Sequence, residues 1–346
     1  MSIRANILEM AGYAPGEQPR EDGIVKLNTN ENPYPPSPHV FEAIRVALTG
    51  DRLRKYPEPS GLHFRRTAGK VLGIDPESIL IGNGSDDLLT ILTRSFVPEH
   101  GLIVSPTPSY ILYRSLADIQ GARFETVPFE QDWSLPKVWP IPQANLLFLA
   151  NPNSPSGTIL SHSQIRDLID SVDFPIVLDE AYVDFAEENG LCFVSKKVIV
   201  TRTLSKSYSL AGIRFGFAVS DPSTIRELNK VKDSYNCDVL SLAAATAAIE
   251  DQAYLQEVRG KILATRTRMT VELKRFGFEV TPSQANFLWC RRTDRPLKPI
   301  YEELKKNQIL VRYMNYVGYG DGLRISVGSD SEIDRLFEQL QLILKR

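Results

Sequence analysis

Lys206 lies in a segment whose side chains could hold an aldehyde that carries a phosphate group. Residues 203–216 combine one amine, at Lys206, with a row of hydroxyls and one guanidinium, at Arg214. A lysine amine can form a Schiff base with an aldehyde. Thr203 and Ser205 can donate hydrogen bonds to phosphate oxygens, and the planar arginine fork can bind two of those oxygens at once. The segment predicts covalent chemistry on Lys206; the alternative is an ordinary solvated lysine.

A second set of candidate residues follows a predicted buried strand. Residues 176–178 form a short apolar run, so Asp179 falls at the carboxyl end of that strand, where α/β sheets bind ligands. A carboxylate there can pair with the protonated pyridine nitrogen of pyridoxal phosphate, which keeps the ring an electron sink. Tyr182 could hydrogen-bond the ring's phenolic oxygen. With Lys206, these residues predict pyridoxal 5'-phosphate as cofactor; helix capping is the alternative role for Asp179.

A third segment could bind the phosphate through its backbone. Residues 79–92 are typical of a strand, a glycine-rich turn and the start of a helix, with Ser85 and Asp86 at the helix start. The unpaired N–H groups at such a helix end form an anion site. The glycine spacing matches neither the dinucleotide fingerprint nor the nucleotide P-loop, so we expect no dinucleotide or ATP site. An ordinary capped helix after a turn is the alternative.

Together with residues 151–157, these segments resemble the fold-type I pyridoxal-phosphate aminotransferases, and most closely the histidinol-phosphate aminotransferases. The resemblance covers nearly the whole chain, and its order of motifs is specific. The other matching segments are residues 27–34, 54–57, 106–110, 284–287 and 322–328. The resemblance implies an α/β fold, with a mostly parallel sheet between two layers of helices and a smaller α+β domain. It also implies a homodimer whose subunits share their active sites.

The resemblance assigns roles residue by residue. Lys206 would bind the cofactor covalently, and the catalytic residues would be Lys206, Asp179 and Tyr182. The cofactor contacts would be Ser85, Asp86, Tyr110, Ser154, Asp179, Tyr182, Thr203, Ser205, Lys206, Arg214 and, across a dimer interface, Tyr56. Arg324 would bind the substrate's α-carboxylate.

Residues 154–157 depart from the family pattern. The family has Asn-Pro-Thr-Gly at this point, and its asparagine bonds the phenolic oxygen of the ring, whereas this chain has Ser-Pro-Ser-Gly. A serine is shorter, and its single hydroxyl both donates and accepts. Three alternatives follow: Ser154 makes a weaker bond, Asn153 replaces it, or a water does.

Two arginines near the end of the chain are candidate substrate contacts. Arg312 and Arg324 both lie on or beside predicted strands. Arg324 alternates with apolar neighbours, so it should point to the opposite face from them and could hold a carboxylate in the cleft between domains. Arg312 has a solvated edge position as an equal alternative. Tyr13 and Asn32, in the N-terminal part, could close over the substrate.

The composition narrows the class of protein. With 346 residues the chain should form two domains, and 40 basic against 42 acidic residues give no reason to expect nucleic acid or an acidic membrane as partner. Cys192, Cys237 and Cys290 lack the spacing of a zinc site or a disulfide framework, so we expect no metal and a reducing cytoplasm. The chain has no apolar signal-peptide core near Met1 and no run of 18 apolar residues, so secretion and membrane spanning are not expected.

The pattern of apolar runs predicts the domain organisation. Residues 1–45 are rich in Pro and Asn and should form an arm that joins the small domain. Residues 46–245 should form the large cofactor-binding α/β domain, and residues 246–346 a linking helix and the small α+β domain. The strands predicted in the large domain are residues 79–81, 102–104, 146–149, 176–178, 198–200 and 215–219, and those predicted in the small domain are residues 278–280, 287–289, 309–311 and 323–327.

The expected activity is transfer of an amino group between L-histidinol phosphate and 2-oxoglutarate, with glutamate as the amino-acid partner, in histidine biosynthesis. An aromatic amino acid is the alternative donor, because it also offers a flat ring for a tyrosine-lined pocket. The candidate tyrosines are Tyr13, Tyr34, Tyr110, Tyr313, Tyr316 and Tyr319. Decarboxylation of a phosphorylated amino acid would need the same motifs. A ligand-sensing domain of a transcription regulator, or a nucleotide-binding protein, is disfavoured because a basic helix-turn-helix segment and both glycine fingerprints are missing.

Overall fold

A computed structural model describes residues 3–12, 16–19 and 23–345 of the chain. The helices are α1 (Ala5–Glu9), α2 (Pro38–Ala47), α3 (Gly50–Leu53), α4 (Leu62–Leu72), α5 (Ser85–Phe96), α6 (Leu112–Gln120), α7 (His162–Ser171), α8 (Pro222–Leu228), α9 (Val239–Glu250), α10 (Gln252–Arg275), α11 (Lys298–Lys306) and α12 (Asp330–Leu344). The strands are β1 (Val25–Lys26), β2 (Ile79–Gly82), β3 (Leu102–Thr107), β4 (Arg123–Pro128), β5 (Leu146–Ala150), β6 (Ile176–Asp179), β7 (Val198–Thr203), β8 (Gly216–Val219), β9 (Glu279–Val280), β10 (Phe287–Arg291), β11 (Ile309–Leu310), β12 (Arg312–Tyr316) and β13 (Gly320–Ser326).

Seven strands form the central sheet, in the order β2-β8-β7-β6-β5-β3-β4. Strand β8 is antiparallel to both of its neighbours, and the other strands all run in one direction. The carboxyl ends of β3, β5, β6 and β7 therefore meet along one edge of the sheet. The loops that follow these strands carry most of the predicted site residues.

Both faces of this sheet are covered by helices, because its inner strands bury side chains on both faces. Along β2, Ile79 and Ile81 pack in one core with residues of α4 and α9, whereas Leu80 packs in the opposite core with residues of α5 and α8. Successive side chains of a strand point to opposite faces, so a strand without polar alternation needs two covering layers. The expected mostly parallel α/β fold is confirmed.

The six strands predicted for this sheet are all present, and a seventh was missed. Strand β4 lies at the edge, and most of its side chains are exposed. Its residues, Arg123–Pro128, mix charged and apolar types, so the sequence shows no buried apolar run there. An edge strand needs only one hydrogen-bonded neighbour and one covered face, and such a strand leaves a weak pattern.

A smaller unit is built on an antiparallel sheet in the order β12-β13-β10-β9. Helices α10, α11 and α12 contribute to its core with strand residues such as Leu288, Leu323 and Ile325. Strand β1 pairs in parallel with β11, beside this sheet. The sequence did not predict β1 or β12, because one is two residues long and the other is largely polar.

The N-terminal part contains more regular structure than expected. Helix α2 begins at Pro38, inside the range predicted as an arm, and packs on α9. Its start is defined by Ser37, whose hydroxyl accepts from the His39 N–H and donates to Asp251 Oδ2 at 2.5 Å. Proline suits the first position of a helix because its missing N–H has no partner there in any case. Pro38, the last proline of the proline-rich stretch, is therefore the first residue of a helix.

Among the residues that the structure describes, no helix is long and apolar enough to cross a membrane. Within the same residues, no cluster of three or more His, Cys, Asp or Glu side chains could hold a metal ion.

Candidate active site between the two sheets

A cavity of about 250 Å³ lies between the carboxyl edge of the seven-stranded sheet and the four-stranded sheet. Its walls include most of the residues that the sequence predicted for the site. These are Ser85, Asp86, Tyr110, Ser154, Asp179, Tyr182, Thr203, Ser205, Lys206, Arg214, Arg312 and Arg324. The structure therefore gathers in one place side chains that are up to 239 positions apart, from Ser85 to Arg324.

Lys206 enters the cavity from the loop that follows β7. Its Nζ donates a hydrogen bond to the backbone carbonyl of Thr29, at 2.9 Å. Burial, together with the nearby positive charge of Arg324, lowers the pKa of the Lys206 amine to about 8. A larger share of this amine is therefore neutral near neutral pH than for an exposed lysine, and only the neutral amine is a nucleophile or a base.

Asp179 is the last residue of β6 and is 4% exposed. Its carboxylate accepts hydrogen bonds from Tyr113 Oη at 2.7 Å and Thr201 Oγ1 at 3.3 Å. Burial raises the pKa of Asp179 to about 6 even though these bonds favour the ionised form. The next helical turn has Tyr182, not Asp179, as its N-cap, so helix capping does not explain the carboxylate. A buried carboxylate with neutral donors fits a cationic ligand atom.

The start of α5 and the loop after β7 form a cradle of hydrogen-bond donors. Ser85 opens α5 after Gly84, whose φ of 83° suits glycine. A Cβ at Gly84 would lie 2.5 Å from Arg214 Nη2, so only glycine allows the arginine this close to the helix end. The unpaired N–H groups of α5 and this guanidinium together favour an anion.

The hydroxyls of Thr203 and Ser205 lie on the other side of this cradle. Thr203 Oγ1 and Ser205 Oγ are 2.9 Å apart, and Arg214 Nη1 donates to Ser205 Oγ at 3.4 Å. Asp86 contacts Arg214 at 3.4 Å and accepts from Tyr110 Oη at 3.3 Å. The arrangement matches the sequence-based prediction of hydroxyls and one guanidinium around a phosphate.

Arg312 and Arg324 occupy directly opposite positions on β12 and β13. Both line the cavity, whereas Leu323 and Ile325, on either side of Arg324, are fully buried in the core of the small sheet. Arg324 donates from Nη1 to Ser154 Oγ at 3.0 Å and from Nη2 to the Asn28 carbonyl at 2.9 Å. Two guanidinium groups facing each other across a ladder repel, so the pair suits an anionic ligand.

Two of the predicted residues that the structure describes do not line the cavity. Asn32 donates from Nδ2 to the carbonyls of Lys206 and Ser207, at 3.2 and 3.1 Å, so its amide supports the lysine loop from behind. Tyr56 is 80% exposed and stacks on Tyr235 with ring centres 4.3 Å apart. Tyr13 lies outside the described residues.

The tyrosine-lined pocket is smaller than the sequence predicted. Tyr110 and Tyr316 line the cavity, whereas Tyr34 packs against the core of the small unit. Tyr313 stacks on Tyr301, and the Tyr319 ring lies 4.9 Å from that of Trp133. The side chains of Tyr34, Tyr313 and Tyr319 therefore pack in structural clusters. The sequence did not predict this, because nothing in a tyrosine's own position tells which face of its strand is buried.

Several residues of the site were not predicted from the sequence. The backbone and side chains of residues 28–30 contact Arg324, Lys206 and Tyr182. Tyr113, which donates to Asp179, lies on α6 and looks like an ordinary core residue. The sequence signals for residues 28–30 were the resemblance over residues 27–34 and the three asparagines at positions 28, 30 and 32.

Comparison with known proteins agrees with this geometry. The model of the family "Aminotransferase class I and II" matches residues 22–340. A curated histidinol-phosphate aminotransferase of Rhodopirellula baltica is 54% identical over 339 residues, which is 96% of this chain and 93% of that protein. One from Syntrophotalea carbinolica is 45% identical over 341 residues, with 98% of each chain covered.

A solved structure shares the fold. The histidinol-phosphate aminotransferase of Sinorhizobium meliloti, crystallised in complex with pyridoxal-5'-phosphate, superposes with a TM-score of 0.85 at 29% identity, over 92% of this chain and 90% of that one. Its fold and the matched sequence families place this chain in a well-defined class. The chain belongs to the class I and II aminotransferases, and within them to the histidinol-phosphate aminotransferases.

Proposed function

We propose that the protein transfers an amino group between L-histidinol phosphate and 2-oxoglutarate, with pyridoxal 5'-phosphate bound at Lys206, as a step of histidine biosynthesis. The observation that carries this proposal is the pair Arg312 and Arg324, which faces the Lys206 amine across one cavity. Both proposed substrates are anions that need such a pair.

The residues around the cavity fit the cofactor group by group. The Asp179 carboxylate supplies the charge that a protonated pyridine nitrogen needs, and the α5 start with Ser85, Thr203, Ser205 and Arg214 supplies donors for a phosphate. When bound, pyridoxal phosphate supplies an electron sink for the electrons released at the substrate carbon.

Lys206 has the properties of the proton carrier. Its pKa of about 8 leaves a useful share of neutral amine at the pH where the protein works, and that amine can take a proton from the carbon that bears the substrate's amino group. The Thr29 carbonyl holds the Nζ inside the cavity at 2.9 Å. Lys206 can therefore return the proton without leaving the site.

The arginine pair can hold either substrate. 2-Oxoglutarate carries two carboxylates, and a guanidinium binds a carboxylate through two parallel N–H bonds. L-Histidinol phosphate has no carboxylate, so its phosphate must take the same positive site. Arg312 and Arg324, held side by side by the β12–β13 ladder, can serve both anions in turn.

Ser154 is the better candidate for the position that the family fills with asparagine. Ser154 lines the cavity, and its Oγ accepts from Arg324 Nη1. The Asn153 side chain is already bonded to the Pro108 carbonyl, at 3.1 Å, and to Ser156 Oγ, at 3.0 Å. Because Ser154 accepts from the arginine, its own proton is available for the cofactor's phenolic oxygen.

A homodimer in the cytoplasm completes the proposal. Phe41, Val46, Leu48 and Leu53 are more than half exposed and lie on or beside α2 and α3, close in sequence to the exposed Tyr56. Such a surface patch is typical of a protein interface. A second subunit would cover it and would bring Tyr56 to the phosphate of the neighbouring site.

Steady-state comparison of three donors tests the proposed substrate. L-Histidinol phosphate, phenylalanine and tyrosine are each supplied with 2-oxoglutarate, and glutamate is measured. We expect kcat/KM at least tenfold higher for L-histidinol phosphate, which is about 1.4 kcal/mol in transition-state binding. A preference for the aromatic amino acids would overturn the histidine-pathway assignment. Release of CO2 without formation of glutamate would indicate decarboxylation.

A further inference from the structure

Residues 28–32 form a partly buried segment without regular structure, and it contacts three groups of the proposed site. The Asn28 carbonyl accepts from Arg324, and the Thr29 carbonyl accepts from Lys206 Nζ. Asn30 Nδ2 donates to Tyr182 Oη at 3.0 Å. The segment thus reaches the substrate side, the lysine and the ring side of the cavity. Nothing in the proposed chemistry so far uses the Asn30 side chain.

The orientation of the Asn30 amide is fixed by Ser326. The Asn30 backbone N–H donates to Ser326 Oγ at 2.9 Å, and Ser326 Oγ donates back to Asn30 Oδ1 at 3.0 Å. Ser326 Oγ already accepts from the Asn30 backbone N–H, so its one proton finds an acceptor on Asn30 only when the facing amide atom is the oxygen, and this orientation satisfies both side chains. The other amide atom, which faces Tyr182, is therefore the NH2 group. Asn30 is 1% exposed, so water does not compete for these bonds.

The NH2 group of an amide can only donate. Tyr182 Oη must therefore accept from Asn30, and the single Tyr182 proton is directed to a different acceptor. Tyr182 lines the cavity, where the proposed cofactor would present its phenolic oxygen.

We infer that Asn30 is a positioning residue, which fixes Tyr182 as a hydrogen-bond donor to the phenolic oxygen of the cofactor. The inference rests on the proposed function, because it needs pyridoxal phosphate in this cavity. Donation to that oxygen stabilises its anionic form and so lowers the pH at which the bound cofactor's absorption band changes. Asn30 affects the midpoint pH of this absorbance change only through Tyr182.

The test is a pH titration of that absorption band in the purified, cofactor-loaded protein. Asn30→Gly removes the amide and keeps the backbone relaxed, since Asn30 has a φ of 57° and glycine accepts this conformation. Asn30→Asp keeps the shape but turns the donor into an acceptor that takes the Tyr182 proton. Tyr182→Phe removes the hydroxyl, and its combination with each Asn30 variant completes a double-mutant cycle.

We expect Tyr182→Phe to raise the midpoint by about one pH unit, on the scale of one lost hydrogen bond to a charged oxygen. Asn30→Asp should raise it as much and Asn30→Gly by less. Asn30→Gly should have no further effect in the Tyr182→Phe protein. Asn145→Gly is the control, because the Asn145 side chain accepts from the Leu102 N–H at the amino end of β5, away from the cavity, and this variant should leave the midpoint unchanged.

An Asn30→Gly midpoint equal to that of the wild type would overturn the inference, and so would an equal shift with and without the Tyr182 hydroxyl. If Asn30→Gly does not fold, the isosteric Asn30→Asp decides. Its shift must then be larger in the protein that retains Tyr182 than in the Tyr182→Phe protein. A wild-type protein that shows no cofactor band contradicts the proposed function itself, whereas a normal wild-type band with unmoved Asn30 variants contradicts the inference alone.

Discussion

The two walls of the cavity are built in different ways. On the side of the seven-stranded sheet, Asp179 and Lys206 lie at or just after the carboxyl ends of parallel strands. On the side of the small sheet, Arg312 and Arg324 lie on the strands themselves, opposite each other in the ladder. The first wall thus carries its side chains at strand ends and on loops. The second carries them on strands, where successive side chains point to opposite faces of the sheet.

This difference separates two tasks. Loop residues can approach a cofactor from several directions, as the donors around Arg214 do. Strand residues are held rigidly by the ladder and by a buried core on the opposite face, here Leu323 and Ile325. We infer that the loop wall fixes the cofactor and its chemistry, whereas the strand wall fixes the position of substrate anions. Damage to the loop wall should therefore abolish turnover, and damage to the strand wall should change substrate affinity.

The largest expected effect is that of Lys206→Ala. Loss of the amine removes both the covalent attachment and the proton carrier, so turnover should fall by about four orders of magnitude or more. Circular dichroism should show a retained fold, because the variant removes only the side-chain hydrogen bond of Lys206 to the Thr29 carbonyl and keeps the backbone bond from Asn32. Borohydride reduction of the wild-type protein, followed by peptide mass analysis, should place the cofactor on the peptide that contains Lys206. Label on a different lysine would refute the assignment.

The next effect in size is that of Asp179→Asn. The variant keeps the shape and the bond from Tyr113 but removes the charge that stabilises a protonated ring nitrogen. Turnover should fall roughly 10²–10³-fold, as for other losses of a preorganised polar group. Near-normal turnover would show that the charge has no catalytic role.

Asp179 also predicts a pH dependence of stability in the cofactor-free protein. Burial raises its pKa from 3.8 to about 6, so the folded state disfavours the ionised form. The ionised carboxylate therefore lowers the free energy of unfolding. This loss of stability is absent below the ordinary pKa, grows as pH rises towards about 6 and is complete above it, where two pKa units correspond to roughly 3 kcal/mol. The Asp179→Asn protein should lack this pH-dependent loss of stability. Thermal unfolding of both proteins between about pH 4 and 7 measures the difference.

The smallest of these effects tests the strand wall. Arg324→Lys keeps the charge but loses the planar fork, so kcat/KM for 2-oxoglutarate should fall roughly 10–100-fold. Arg312→Lys is the comparison on the neighbouring strand, and because the pair would hold either anion, it should also lower kcat/KM for both substrates. Unchanged kcat/KM in both variants would show that the strand wall does not bind the substrate anions.

The loop wall could be predicted from the sequence, but most of the strand wall's surroundings could not. Asp179 follows a short apolar run, and Lys206 lies among hydroxyls, so local patterns sufficed. Arg324 was recognisable from its alternation with Leu323 and Ile325. The ladder that puts Arg312 beside it depends on β12, whose polar residues give no strand pattern.

The contribution of residues 28–30 could not be predicted for a different reason. Two of their contacts with the site use backbone carbonyls, of Asn28 and Thr29, and every residue type has a carbonyl. Their place in the cavity depends on the pairing of β1 with β11, which joins two segments far apart in sequence. No local periodicity records such a contact. Asn32 was misassigned for the same reason, because its amide lies on the far side of the lysine loop.

The pairing of Val25 with Ile309 also orders events during synthesis on the ribosome. All seven strands of the central sheet have been synthesised once Val219 is added, so that sheet can form before β11 is made. Strand β1 must wait for β11, which takes on the order of 15–60 s at a rate of roughly 5–20 residues per second. Residues 28–32, which follow β1, cannot contact the small sheet during that time. A nascent chain therefore has its lysine loop in place well before it has a closed pocket.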